Sequence, residues 1–235
     1  MRSFKKAFNK NDELYTPPVL VDVLVPFLLD WFVHCCVQSN FVKPHKYNYV
    51  LDPKTVKEYR PIIWCPFDTE DSEFVIKFKE LGFDVVYSHI DAGQDFFEYE
   101  PAEWDIAISN CPFSCKLDVF KRLNTFMKPW IMAMNMMAIN YSEIGNYFAD
   151  NPVGMIIPDK KISFDGNTSS FCTGYITKGF LPDNTAKFVH VPHNNTGNNF
   201  VPSRMYKNKK EKVYVVDVQG FRQDGNEKRF YTGEE

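Results

Sequence analysis

The sequence predicts an α/β fold: a doubly wound, mostly parallel sheet of the Rossmann type with helices on both faces, and a small irregular C-terminal region. Two observations predict it. From residue 61 to about 158, short apolar runs that read as strands alternate with segments of helical period. Beyond Pro158 that rhythm stops. Gly and Asn become frequent (Gly166, Asn167, Asn194, Asn195, Gly197), and only short β-type runs remain.

The elements follow in order. Residues 1–13 are polar and basic, with Arg2, Lys5, Lys6 and Lys10, and read as a loose arm. Thr16-Pro17-Pro18 opens an apolar stretch to Val37, with Thr16 as N-cap and proline in the first turn. Asp22, Pro26, Asp30 and His34 interrupt that stretch, so no membrane span is expected. Residues 38–60 are polar and turn-rich. Residues 62–65 are a short apolar strand ended by Pro66. Phe74, Val75, Phe78 and Leu81 mark a helix over 71–81 that Gly82 stops. Strands are expected at 83–90, 105–109, 130–134 and 153–157, and helices at 116–127 and 142–149. Further β-type runs lie at 170–177 and 213–218. The chain divides on this reading into a main domain, 1–182, and an extension, 183–235, able to contact a partner.

Composition narrows the function classes. With 235 residues, 44% hydrophobic and 24% charged, the chain is an ordinary globular protein long enough to bury a core. A net charge of −3 excludes a strongly basic DNA-coating protein, but not an enzyme that grips DNA through a local basic patch. Lys207, Lys209, Lys210 and Lys212 form a basic run, readable as a solvated loop or as a phosphate contact. Cys35, Cys36, Cys65, Cys111, Cys115 and Cys172 form no C-x-x-C pair. They read as reduced thiols, and a cytoplasmic location is expected, with no metal site.

In a doubly wound sheet, ligands collect at the C-terminal ends of the strands. Three strand ends carry suggestive residues: Pro66-Phe67-Asp68, the pair Asp91 and Asp95, and Asn110-Cys111-Pro112-Phe113. The last has a chemical logic. Alkylating an exocyclic amine requires acceptors around its N–H groups, to polarise the nitrogen and hold it in line with a methyl donor. An Asn oxygen and the next carbonyl supply them, the proline stiffens the turn, and the aromatic offers a face for a base swung out of a duplex. Taken alone, the tetrapeptide reads equally well as a plain strand-to-loop turn.

Asn110-Cys111-Pro112-Phe113 resembles the N-P-P-F/Y motif of phage and prophage DNA N6-adenine methyltransferases. Glu13-Leu14-Tyr15-Thr16-Pro17 resembles their E-x-Y-T-P opening. Trp64-Cys65-Pro66-Phe67-Asp68 stands where their first donor motif belongs. Gly93-Gln94-Asp95-Phe96-Phe97 resembles their G-x-D-F-F segment, and Lys161-Ile162-Ser163-Phe164-Asp165-Gly166 with Ser170-Phe171 and Tyr175 resembles their late segment. The likeness spans residues 13–182 and keeps the family's order. It departs in two places: residues 64–68 contain no glycine, and Cys111 stands where the family has proline.

The resemblance implies an S-adenosyl-L-methionine-dependent, site-specific DNA methyltransferase of the Rossmann-like methyltransferase type, acting on adenine N6 in a bacterial host or phage-infected cell. It implies that Asn110 and the Cys111 carbonyl accept from N6, held by Pro112. Phe113 would stack on the base, opposite Phe171 or Tyr175. Thr16 and Pro17, with Tyr15, would meet the donor's methionine part. Asp95 and Phe96 would meet its adenine, and Asp91 its ribose. Pro66 and Asp68 complete the expected donor site. A proline at position 111 is expected to be tolerated. A cytosine-N4 enzyme, a protein-glutamine methyltransferase and a non-catalytic relative that only binds nucleic acid or a partner stay open beside this reading.

Overall fold

A computed structural model of the chain describes residues 15–37, 43–45, 48–112, 114–164, 172–191, 204–210, 212–217, 222–223 and 226–227. Its centre is a seven-stranded sheet, and alternation along the strands explains why both faces are covered. In β3 (Ile62–Cys65), Ile63 and Cys65 enter one core while Trp64 enters the other. In β5 (Ile106–Asn110), Ile106 and Ile108 face the first core and Ala107 the second. In β6 (Trp130–Asn135), Ile131 and Ala133 oppose Trp130, Met132 and Met134. The first core is roofed by α1 (Pro18–Val37), α2 (Pro53–Tyr59) and α3 (Glu73–Glu80). The second is roofed by α4 (Lys116–Thr125) and α5 (Ser142–Asp150).

The strand order is β4-β3-β5-β6-β8-β7-β9, with β4 at Asp84–Tyr87, β7 at Gly154–Pro158, β8 at Thr173–Lys178 and β9 at Ala186–Val189. Pairings β3–β4, β3–β5, β5–β6 and β7–β9 are parallel, whereas β8 runs antiparallel to both β6 and β7. The chain leaves β3 toward β4 and then returns to the other side of β3 as β5. That reversal opens a crevice above the C-terminal ends of β3 and β5, the place where such sheets receive ligands.

The turn-rich stretch 38–60 is more structured than its sequence indicates. It contains β1 (Lys43–His45), β2 (Asn48–Leu51) and α2, and it pairs with β11 (Val213–Asp217) and β10 (Arg204–Asn208) into a four-stranded antiparallel sheet. Pairing between residues some 165 apart leaves no local signal in the chain. The start of α2 does leave one. Asp52 caps it, accepting from the Lys54 and Thr55 amides, and Pro53 occupies the first helical position. Residue 182 does not separate two bodies, since β9 is the seventh strand of the main sheet and β10 and β11 pair with β2.

Helix α1 has the length and composition to cross a membrane, but 67% of its most apolar window is buried inside the fold. Its apolar side chains form a large part of the first core, and Asp22 pairs with Lys77 of α3 at 2.8 Å. The hydroxyl of Tyr175 in β8 donates to the Leu20 carbonyl at 2.7 Å, pinning the first turn of α1 to the sheet. Because bond and ring are fully buried, Tyr175→Phe is expected to cost about 1–2 kcal/mol by leaving the carbonyl without that donor. A thermal melt should fall by roughly 3–6 °C for a chain of this size. An unchanged melt would remove this anchor from the account.

Candidate functional site

The crevice holds a cavity of about 420 Å³, a size suited to a small cofactor. Four stretches distant in sequence build its described walls: 15–18 leading into α1, 66–73 leading from β3 into α3, 89–96 after β4, and 110–112 at the end of β5. Phe164, in the connection from β7 to β8, closes a further side.

The turn after β3 reverses without glycine. Thr69 donates its amide to the Ser72 hydroxyl at 2.9 Å, and Ser72 donates its own amide to the Thr69 carbonyl at 3.1 Å. The serine side chain thus shapes a turn for which a glycine-rich loop would use backbone freedom. Asp68 sits inside it with 6% of its surface exposed, and its carboxylate accepts from the Ser109 hydroxyl at 2.5 Å. Burial pushes this carboxyl up to about 6, overriding the opposing pull of the Ser109 and Ser72 hydroxyls and of His89. Ser109 immediately precedes Asn110, so this bond joins the two strand ends across the crevice.

After β4 the chain makes one 3-10 turn, Ile90–Ala92, ended by Gly93 at φ 76°. Nothing lies within 4 Å of a Cβ built at Gly93, so glycine is wanted there for its left-handed backbone rather than for space. Asp91 lines the cavity with its carboxylate 3.5 Å from His89 Nδ1. That nitrogen accepts from the Asp91 amide at 3.2 Å, capping the turn. Trp64 Nε1 donates to Ser88 Oγ at 3.0 Å, holding the ends of β3 and β4 together beneath.

Asp95 is placed differently from its expected role. Gln94 and Phe96 line the cavity, while the buried Asp95 carboxylate accepts from the Phe97 amide at 3.0 Å. Its carbonyl receives the amides of Glu98 and Tyr99, so the residue organises the turn that carries Phe96. Phe96 packs against Phe67 at 4.8 Å between ring centroids and on Trp64 at 5.6 Å. Phe67, Ile90, Phe96 and Phe164 together supply apolar walls for a flat ring.

The turn after β5 carries Asn110, Cys111 and Pro112, all on the cavity. Asn110 is half-buried, and its side-chain amide makes no hydrogen bond to any described residue. Cys111 is buried, and its thiol donates to the Pro112 carbonyl at 3.7 Å. Burial raises that thiol far above the ordinary cysteine range, so it is not a nucleophile at neutral pH. The Cys111 amide donates to the Ala133 carbonyl at 2.8 Å, extending the β5–β6 ladder by one step. A proline there has no such proton and would remove this bond. Cys111→Pro is expected to lose about 1–3 kcal/mol, read as a lower melting temperature and no gain in activity.

The expected stacking residues fare unequally. Phe113 and Phe171 lie outside the described residues. Tyr175 is not brought to the cavity. Its ring is fully buried in the first core beneath α1, which leaves no face for a base. Among the described residues of this late segment, the aromatic that reaches the cavity is Phe164, seven residues before Phe171. The helical and strand periodicities around it gave no sign of this, because its connection has neither. Tyr15 is 79% exposed at the cavity mouth, with Thr16 and Pro17 behind it. Among the described residues, no three side chains of His, Cys, Asp or Glu converge on a metal position. No family model matches the chain, and no curated protein matches it.

Proposed function

We propose that this chain transfers a methyl group from S-adenosyl-L-methionine to the N6 amino group of adenine in DNA, with the base turned out toward Asn110. One observation carries the reading. Tyr15 to Pro17, Pro66 to Asp68, Gln94 with Phe96, and Asn110 to Pro112, which come from four segments that resemble the methyltransferase motifs, line a single cavity at the sheet's switch point.

The residues suit the donor. Apolar rings at 67, 96 and 164 fit its adenine, and carboxylates at 68 and 91 fit its ribose hydroxyls and its positive charge. The bound donor supplies an electrophilic methyl group. The chain's own part is orientation: the Asn110 side-chain oxygen and the Cys111 carbonyl accept hydrogen bonds from the two N6–H groups, aim the nitrogen, and stabilise positive charge growing on it. The proton leaves after the methyl arrives, so no strong base is needed.

The test uses labelled donor with unmethylated duplex and single-stranded DNA, digested to nucleosides. N6-methyladenine is the expected product. N4-methylcytosine would move the chemistry to the other base. Donor binding with no product on any DNA would make the chain a binding module.

A further inference from the structure

We propose that the β10–β11 hairpin is a second polyanion contact, which grips the phosphate backbone of duplex DNA at a place separate from the cavity. Its tip carries Lys207, Lys209, Lys210 and Lys212, and all four are exposed. None is paired with a carboxylate among the described residues. By contrast Arg204, at the hairpin's base, lies 3.5 Å from the buried Asp217. With Arg204 and Glu211 counted, nine residues carry a net +4 in a chain whose net charge is −3. The tip is therefore a place where a polyanion meets attraction on a chain whose net charge repels it.

The tip's geometry adds to this. Met205 and Val216, directly opposite each other, are buried, whereas Lys207 and the turn beyond it project past that core. Lys210 donates its amide to Asn208 Oδ1 at 3.1 Å, which tightens the turn. Lys212 sits at φ 54°, in the left-handed region where glycine is the ordinary choice, so a cation is held at a conformational cost. Tyr206 is 43% exposed beneath the Arg204 guanidinium, 5.1 Å from its ring, and Lys207 lies over Tyr214 at 6.0 Å. A two-stranded ribbon with cations at its tip suits the backbone and groove of a duplex.

The hairpin is remote from the cavity. Met205 reaches within 3.8 Å of a Cβ built on Gly82, which precedes β4 at the edge of the sheet opposite the strand ends that line the cavity. Helix α1 spans the same distance. Pro18 is on the cavity and Phe32 meets Phe83 beside β4, about 20 Å along the helix axis. The contact would hold the protein on a long polymer without touching the reacting base, which raises the local concentration of sites.

The choice of DNA as polyanion rests on the function proposed above, so binding is measured without donor. Fluorescence anisotropy with a labelled 30-base-pair duplex, between 50 and 200 mM NaCl, is expected to give a log–log salt slope of about −3 to −4. Replacing all four lysines by glutamine should weaken binding at 50 mM at least tenfold and flatten the slope by about three, with an unchanged thermal melt, while replacement by arginine should restore both. Equal affinity and slope for wild type and the glutamine variant would overturn the proposal, as would absence of wild-type binding or stronger binding to polyglutamate than to the duplex. If the hairpin binds DNA but no methyl transfer occurs, the catalytic reading fails and this one stands. If methyl transfer proceeds while the four substitutions change nothing, the reverse holds.

Discussion

Asn110→Ala is expected to lower methyl transfer to adenine by at least about 100-fold while changing donor affinity less than about threefold. The asymmetry follows from position. Asn110 ends β5, and its side-chain amide makes no hydrogen bond to any described residue. Ser109, beside it, is fully buried and holds Asp68, so the turn keeps its place when the amide is removed. What disappears is an acceptor aimed at a nitrogen that becomes positive only as the methyl arrives, and such losses fall on kcat. Single-turnover transfer and calorimetric donor titration on the same preparation check it. A variant that loses donor binding and transfer together would make Asn110 part of the donor site instead.

Asp68→Asn should have opposite effects on stability and on binding. Folding raises this carboxyl from 3.8 to about 6, so the folded protein binds more protons than the unfolded chain between those values. Stability from this group therefore falls as pH rises from about 4 to about 6, and the full cost, roughly 3 kcal/mol, is present at pH 8. An asparagine carries no charge to bury and still accepts from Ser109. The variant is expected to melt several degrees higher than wild type at pH 8, with the difference vanishing near pH 4. Its donor affinity should drop about 10–100-fold, the worth of a charge-assisted hydrogen bond. Wild-type donor affinity should rise as pH increases through 6, as the carboxylate ionises. A variant less stable at pH 8 would mean that the buried carboxylate is already compensated. Unchanged donor affinity would take Asp68 out of the donor site.

Legibility in the sequence tracked locality. The strand–helix alternation from 61 to 158 was readable because each element advertises its own period: Phe74, Val75 and Phe78 for α3, and Leu117, Phe120 and Leu123 for α4, of which Phe120 and Leu123 are buried. The strand ends bearing Asp68, Asp91 and Asn110 were readable for the same reason, since proline and acidic residues punctuate the apolar runs. Asp95 and Tyr175 were misleading because residue type does not reveal direction. An aspartate beside the cavity can turn its carboxylate onto a backbone amide, and a tyrosine in a β-run can point into the core.

The sequence by itself determined the α/β class, the order of its main elements and the turn residues at three strand ends. These depend on short-range periodicity and turn chemistry, which a chain carries in every window. Only the tertiary structure decided that Phe164 rather than Tyr175 faces the cavity, that Ser109 reaches Asp68 across two strands, and that β2 pairs with β11. Each joins residues far apart in the chain, and such contacts are selected by the packing of the whole sheet rather than by any segment of it.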